Sequence, residues 1–264
     1  MVRKQLSGRL LKKRICFSAA VIVMIAVWWI SAETYFARSG VIPPPPQVLG
    51  EMGRAAASGL LWHNVWNTLW KVFAAFFISF VMGLGIAIPA VKSESIALFV
   101  TPFITVARAL PTIGVILVLF RLVRSPDAAA ITIGVMMVFP MLYEGFFTAL
   151  KEVDRQLLQM ARIMKIPLCK QLCGIYAPHI APFVFGGSLA AMGMALKVIV
   201  AAEIMSIPVR NTLGTAMSWA NQSMERGLLF MWLVVTVLVS FALEFVIKSI
   251  GKACMPWKKR QGGT

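Results

Sequence analysis

Several uninterrupted apolar blocks of about twenty residues constrain this chain more than anything else in it. One runs from Ile15 to about Ala32, and others cover approximately 65–91, 96–120, 128–150, 180–206 and 228–250. As helices rising about 1.5 Å per residue they match a hydrocarbon core roughly 30 Å thick. The pattern predicts an all-α polytopic membrane protein with about six transmembrane helices and both termini on the same side. Composition agrees, because only 14% of the 264 residues are charged and 59% are hydrophobic, whereas soluble chains carry roughly a quarter charged.

The side on which the termini lie follows from the cations. Of 26 Lys and Arg, the six-span arrangement puts 17 with the N-terminus: six in the leader MVRKQLSGRLLKKR, Lys92, five from Lys151 to Lys170 and five from Lys248 to Arg260. Six face the other way, namely Arg38, Arg54, Arg121, Arg124, Arg210 and Arg226, while Lys71, Arg108 and Lys197 fall inside spans. The positive-inside rule makes both termini and the 151–179 loop cytoplasmic. The +16 surplus is thereby explained as topology rather than nucleic-acid binding, and no nucleic-acid motif accompanies it. The basic-then-apolar opening also resembles a secretory signal, but the run is long and Ser31-Ala32-Glu33 is a poor cleavage site. Cys16, Cys169, Cys173 and Cys254 then sit at the reducing side as free thiols. Their spacing with His179 does not match ordinary zinc ligation, so no metal site is expected.

Three regions follow. Residues 1–60 hold the basic N-terminus, the first span and an extracytoplasmic piece in which Pro43 to Pro46 favour an extended spacer, followed by a short surface helix. Residues 61–250 form a core of five spans, and residues 251–264 a basic tail. Gly83, Gly85, Gly134, Gly186, Gly187 and Gly193 suit close helix approach, and Pro89, Pro111 and Pro140 predict kinks. The methionines of the fourth and fifth spans are read as packing rather than a soft-metal route. Trp28, Trp29, Trp62, Trp66, Trp219 and Trp257 fall near predicted interfaces, as anchors do.

The cytoplasmic loop carries its own pattern. Val153, Leu157, Met160 or Ala161, and Met164 recur at helical spacing, and Ile166-Pro167 ends that helix before a second segment running to Tyr176. Either the two make a knob projecting from the membrane, or the first lies on lipid. Among ionisable residues in the spans, Lys71, Lys197 and Glu203 fall about 9, 13 and 5 Å from the outer end, Glu144 and Glu244 about 9 Å from the inner end, and Arg108 about 18 Å deep. Arg108 and Lys197, with Pro111, Glu144 and Glu203, are candidates for a route suited to an anion. The plainer alternative has Lys71 snorkelling, Lys197 paired with Glu203, and the two glutamates held at helix ends.

Glu152, eight intervening positions, Ala161-Arg162, a turn, and an apolar segment ending in Pro178-x-x-x-Pro182 resemble the EAA loop of ABC-importer permeases. The likeness extends from about Leu61 to Ile250, through NVWNTLWKVFAAFFISFVMGLGIAIPA, ARALPTIGVILVLF and VIVAAEIMSIPVRNTLGTAM. It is most similar to the nitrate, sulfonate and taurine branch. The resemblance implies a MetI-like permease in the bacterial inner membrane, working as a homodimer with two ABC ATPase subunits and an extracytoplasmic substrate-binding protein. It implies no catalysis and no cofactor in this chain, ATP and Mg being held by the partner ATPase; the chain has no G-x-x-x-x-G-K-[ST] phosphate loop. It assigns coupling to Glu152, Asp154, Ala161, Arg162, Met164, Lys165, Ile166, Pro167 and Leu168, with Lys165 where the family's loop usually has glycine. A secondary transporter or channel working without ATP is the alternative.

Overall fold

The computed structural model describes residues 2–34, 40–206 and 211–254, which are helical almost throughout, with no strand among them. Arg38, Arg210 and the tail from residue 255 lie outside the described residues, as do the side chains of the basic leader. The chain divides into two compact units, Met1–Trp62 with Met217–Val235, and His63–Ala216 with Thr236–Thr264.

In the first unit, α1 (Val2–Glu33) takes in the apolar run that starts at Ile15 and continues unbroken through the basic leader. Its apolar part, Ser18–Glu33, exposes Ile22, Val23, Met24, Val27 and Ile30 around the helix, as suits a helix with lipid on all sides. The four-proline run is not one spacer. Pro44 is extended (φ −68°, ψ 149°), but Pro45 opens α2 (Pro45–Ala57), where its missing N–H would have found no helical partner anyway. That helix turns Pro45, Val48 and Ala55 inward.

The second unit is built on α3 (Leu60–Lys92, from His63 onward), α4 (Glu94–Ala109), α5 (Thr112–Leu122), α6 (Pro126–Lys151) and α9 (Ala177–Met205). Against α6 and α9, Ile116, Ala130, Ile133, Val198 and Ala202 form a buried core that Met137 helps to cover. Gly134 lets α3 approach: a Cβ there would fall 2.8 Å from that of Ala75. Gly83 similarly faces the Tyr143 backbone at 3.2 Å. Gly85, Gly186, Gly187 and Gly193 have open space instead, so within this chain they do not serve the close approach expected of them.

Among the described residues, four helices are long and apolar enough to cross a membrane: Leu60–Lys92, Pro126–Lys151, Ile180–Met205 and Arg226–Ala253, the last belonging to α11 (Arg226–Cys254). The span expected at 96–120, with a kink at Pro111, is broken into two helices. There α4 and α5 meet at 98°. Leu110 (φ −65°, ψ 130°) and Pro111 (φ −69°, ψ 121°) are both extended at the break, because proline drives the residue before it out of the helical region. Pro89 and Pro140, by contrast, lie within continuous helices.

Candidate functional site

The 151–179 loop begins where α6 ends. Asp154 Oδ1 accepts the Gln156 N–H at 2.8 Å, capping the start of α7 (Arg155–Ile163) with a group that also suits the positive helix end. The helix stops in a Schellman motif. The Ile166 N–H reaches back to the Ala161 carbonyl at 3.0 Å, and Lys165 occupies the left-handed position at φ +49°, which glycine fills without strain. Gln171 Nε2 then donates to the Ile166 carbonyl at 2.7 Å and ties the turn to α8 (Leu168–Gln171).

Val153 and Ala161 are buried, whereas Leu157 and Met160 are exposed, and Ile163 and Met164 more so at 82% and 68%. The apolar face of α7 is thus left open at its tip. Glu152 and Lys165 are exposed, and the side chains of Arg162 and Leu168 lie outside the described residues. The second helical segment does not end at Tyr176. It passes through a π-helical stretch, Leu172–Tyr176, straight into α9, the wider winding accommodating Pro178.

At the other end of the unit, the expected cluster of Lys71 and Glu203 forms, with both side chains 3% exposed and Nζ to Oε1 at 2.9 Å. Lys71 does not snorkel. It also reaches Asp127 Oδ1 at 2.7 Å. Glu203 Oε2 accepts from Thr68 Oγ1 at 2.9 Å and from the Gly214 N–H at 3.1 Å, while Thr68 Oγ1 accepts the Leu213 N–H at 3.0 Å. A buried carboxylate is thereby matched by one cation and by the N-terminus of α10 (Leu213–Gln222), which favours negative charge. Gly214 is required, since a Cβ would overlap Glu203 Cβ and lie 2.5 Å from the Val200 carbonyl. Glu203 therefore ties α3, α9 and α10 together.

Sequence reasoning missed Asp127 and Thr68. The signal for the former was present in Ser125-Pro126-Asp127, a helix start that places Asp127 at the outer end of its span. Ser125 indeed accepts the Ala128 N–H at 3.4 Å.

Lys197 does not join this cluster. It is exposed on α9 and has no ion-pair partner among the described residues. Phe183, Gly186, Ala190, Met194 and Lys197 are all exposed and recur every three or four residues, which makes one open face, with Ile204 exposed two turns beyond. Arg108 instead pairs with Glu144 at 2.5 Å, their side chains 60% and 43% exposed. The break at Pro111 turns α4 aside, and the end of α4 thereby meets Glu144, a pairing that depth counted along one unbroken helix does not give. Glu244 pairs with Lys248 one turn along α11.

The family described as "Binding-protein-dependent transport system inner membrane component" matches residues 76–254. A Bacillus subtilis protein named as an aliphatic sulfonates transport permease is 20% identical over 241 residues, 91% of this chain and 87% of that protein. The riboflavin transport system permease protein of Chloroflexus aurantiacus is 20% identical over 238 residues, covering 90% of this chain and 88% of its own. Among solved structures, an inward-facing form of the MetNI methionine ABC transporter aligns with TM-score 0.65 at 18% identity, over 74% of this chain and 96% of that one. It shares the fold.

Proposed function

The chain belongs to the binding-protein-dependent transport system inner membrane components, the permeases of ABC importers, and from that premise we propose how it couples and what it carries. As a member of that family it is a multi-pass membrane protein and a transport permease rather than an enzyme. We infer six spans with cytoplasmic termini, the first supplied by α1 and one by α5 with its flanking segments. Residues 61–250 are the permease core, which pairs with a second copy, docks two ATPase subunits and receives substrate from an external binding protein.

Coupling is assigned to residues 161–168. The observation that carries this reading is the exposed tip Ile163-Met164 on a helix rigidly capped at both ends. An isolated apolar tip of this kind on a projecting loop gains by burial in a partner groove. Closure of two ATPase subunits would then move the loop as a body, and the continuous helix from Leu168 into α9 would carry that movement into the span.

The transported class we propose is a small anion. Lys197 supports this, because an exposed lysine well inside a span is costly against lipid and is tolerated beside water. The open face of α9, lined by Gly186, Ala190 and Met194, gives it that setting at the route or the facing copy. The B. subtilis relative named for aliphatic sulfonates agrees with an anion; the relative named for riboflavin makes a neutral substrate the competing reading. Uptake of a labelled alkanesulfonate and of riboflavin into vesicles bearing the complete transporter tests it. Sulfonate uptake that falls at least tenfold in Lys197→Gln is expected. Riboflavin uptake unaffected by that change, with no sulfonate uptake, would contradict it.

A further inference from the structure

We propose that α4 is not half of a span but an amphipathic helix lying in the plane of the inner membrane surface, with its apolar face seated in the acyl boundary. The inference concerns lipid contact and does not depend on what the protein carries. It begins from the ion pair. Arg108 at the end of α4 meets Glu144 on α6 at 2.5 Å, so the α4–α5 break lies at the level of Glu144. From Pro126 to Glu144, α6 rises about 27 Å. Returning along the other limb, α5 has 11 residues and rises about 16 Å. The linker Val123 to Ser125 is extended at both ends but bends at Arg124, so it adds only part of its roughly 10 Å extended length. Those two pieces supply most of the height that α6 covers. The 98° turn of α4 from α5 sends it sideways rather than further across.

The face pattern of α4 fits that position. Glu94, Thr101, Thr105 and Arg108 recur on one side at helical spacing, and Thr101 and Thr105 satisfy their hydroxyls on the helix's own carbonyls. Phe99, Phe103 and Val106 occupy a different side and are exposed, the two rings 5.3 Å apart. Ile104 alone of the helix is buried, so the protein covers only a narrow strip. A helix with an apolar face, a polar face and a perpendicular join to a span is built for the interface. Lipid rather than a second copy is favoured, because the perpendicular join keeps the axis of α4 along the membrane surface, where a helix with one apolar and one polar face is matched by the acyl boundary and the headgroups.

The test uses the complete transporter in phosphatidylethanolamine and phosphatidylglycerol vesicles. Spin labels are placed singly at Phe99, Thr101, Phe103, Thr105 and Val106 in a background lacking the native cysteines. Collision with oxygen reports lipid, and collision with a nickel chelate reports water. The expected result is oxygen maxima at 99, 103 and 106, nickel maxima at 101 and 105, and no net change in depth along the helix. A steady rise of the oxygen-to-nickel ratio toward the break would make α4 part of a span. Labels at 99 and 103 that are immobilised and closed to both reagents would place a second copy or another protein there. Either overturns the proposal, and the contrast between two faces survives loss of any one variant.

Discussion

Lys71 shows how much a single buried charge can organise. It holds two carboxylates while almost fully withdrawn from solvent, and removing it leaves Glu203 with only Thr68 and a helix end for compensation. Breaking such a pair costs about 3–5 kcal/mol. Lys71→Met is expected to lower the thermal unfolding midpoint in detergent accordingly, whereas an unchanged midpoint would make the pair dispensable. Lys165 works in the opposite direction. A non-glycine residue in the left-handed region costs roughly 1–2 kcal/mol, part of which glycine returns through its freer unfolded chain. Lys165→Gly should therefore stabilise the loop by up to about 1 kcal/mol, measured as slower proteolysis between residues 160 and 170. The family resemblance marked Lys165 as standing at a usual glycine, and depth alone allowed Lys71, Lys197 and Glu203 to meet. It could not exclude Lys197 from that meeting. Depth fixes height along a helix, but the direction a residue faces depends on how the helices rotate against one another.

At the scale of elements, apolar block length located α3, α6, α9 and α11 to within about five positions. The same reasoning did not give the 98° angle at 96–120, because hydropathy measures how apolar a stretch is and not how sharply it bends. Pro111 was visible as an interruption, but proline inside α3 and α6 leaves those helices continuous. The difference at Pro111 is that Leu110 is also extended and Arg108 finds Glu144. α10 was missed for a related reason: it is short, and its start is fixed from outside by Glu203 and Thr68. Gly214 sits at that junction without room for a methyl group. Gly214→Ala is expected to displace α10 and to expose its backbone amides, read as at least tenfold faster hydrogen exchange at Leu213 and Gly214. Exchange as slow as in the wild type would show that the junction relaxes freely.

For the whole molecule, membrane class, helical fold and permease family were legible before any coordinates, since composition, block length and the loop pattern all point one way. The internal wiring was not. Which acid meets which base is decided by long-range packing, and Asp127, Thr68 and Glu144 acquired their partners only in the folded chain. The loop stands between these levels. Its helices were readable, but the outward turn of Ile163 and Met164 depends on Val153 and Ala161 taking the inward positions. The most direct measurement is recovery of an ATPase with the tagged permease from its native membrane, comparing wild type with Ile163→Ser/Met164→Ser and with residues 161–168 replaced by a Gly/Ser linker. Wild type should retain the ATPase, the double variant should lose at least tenfold of it, and the linker variant should lose it entirely while remaining folded and abundant. Equal recovery with all three, or none with any, would contradict coupling through this loop.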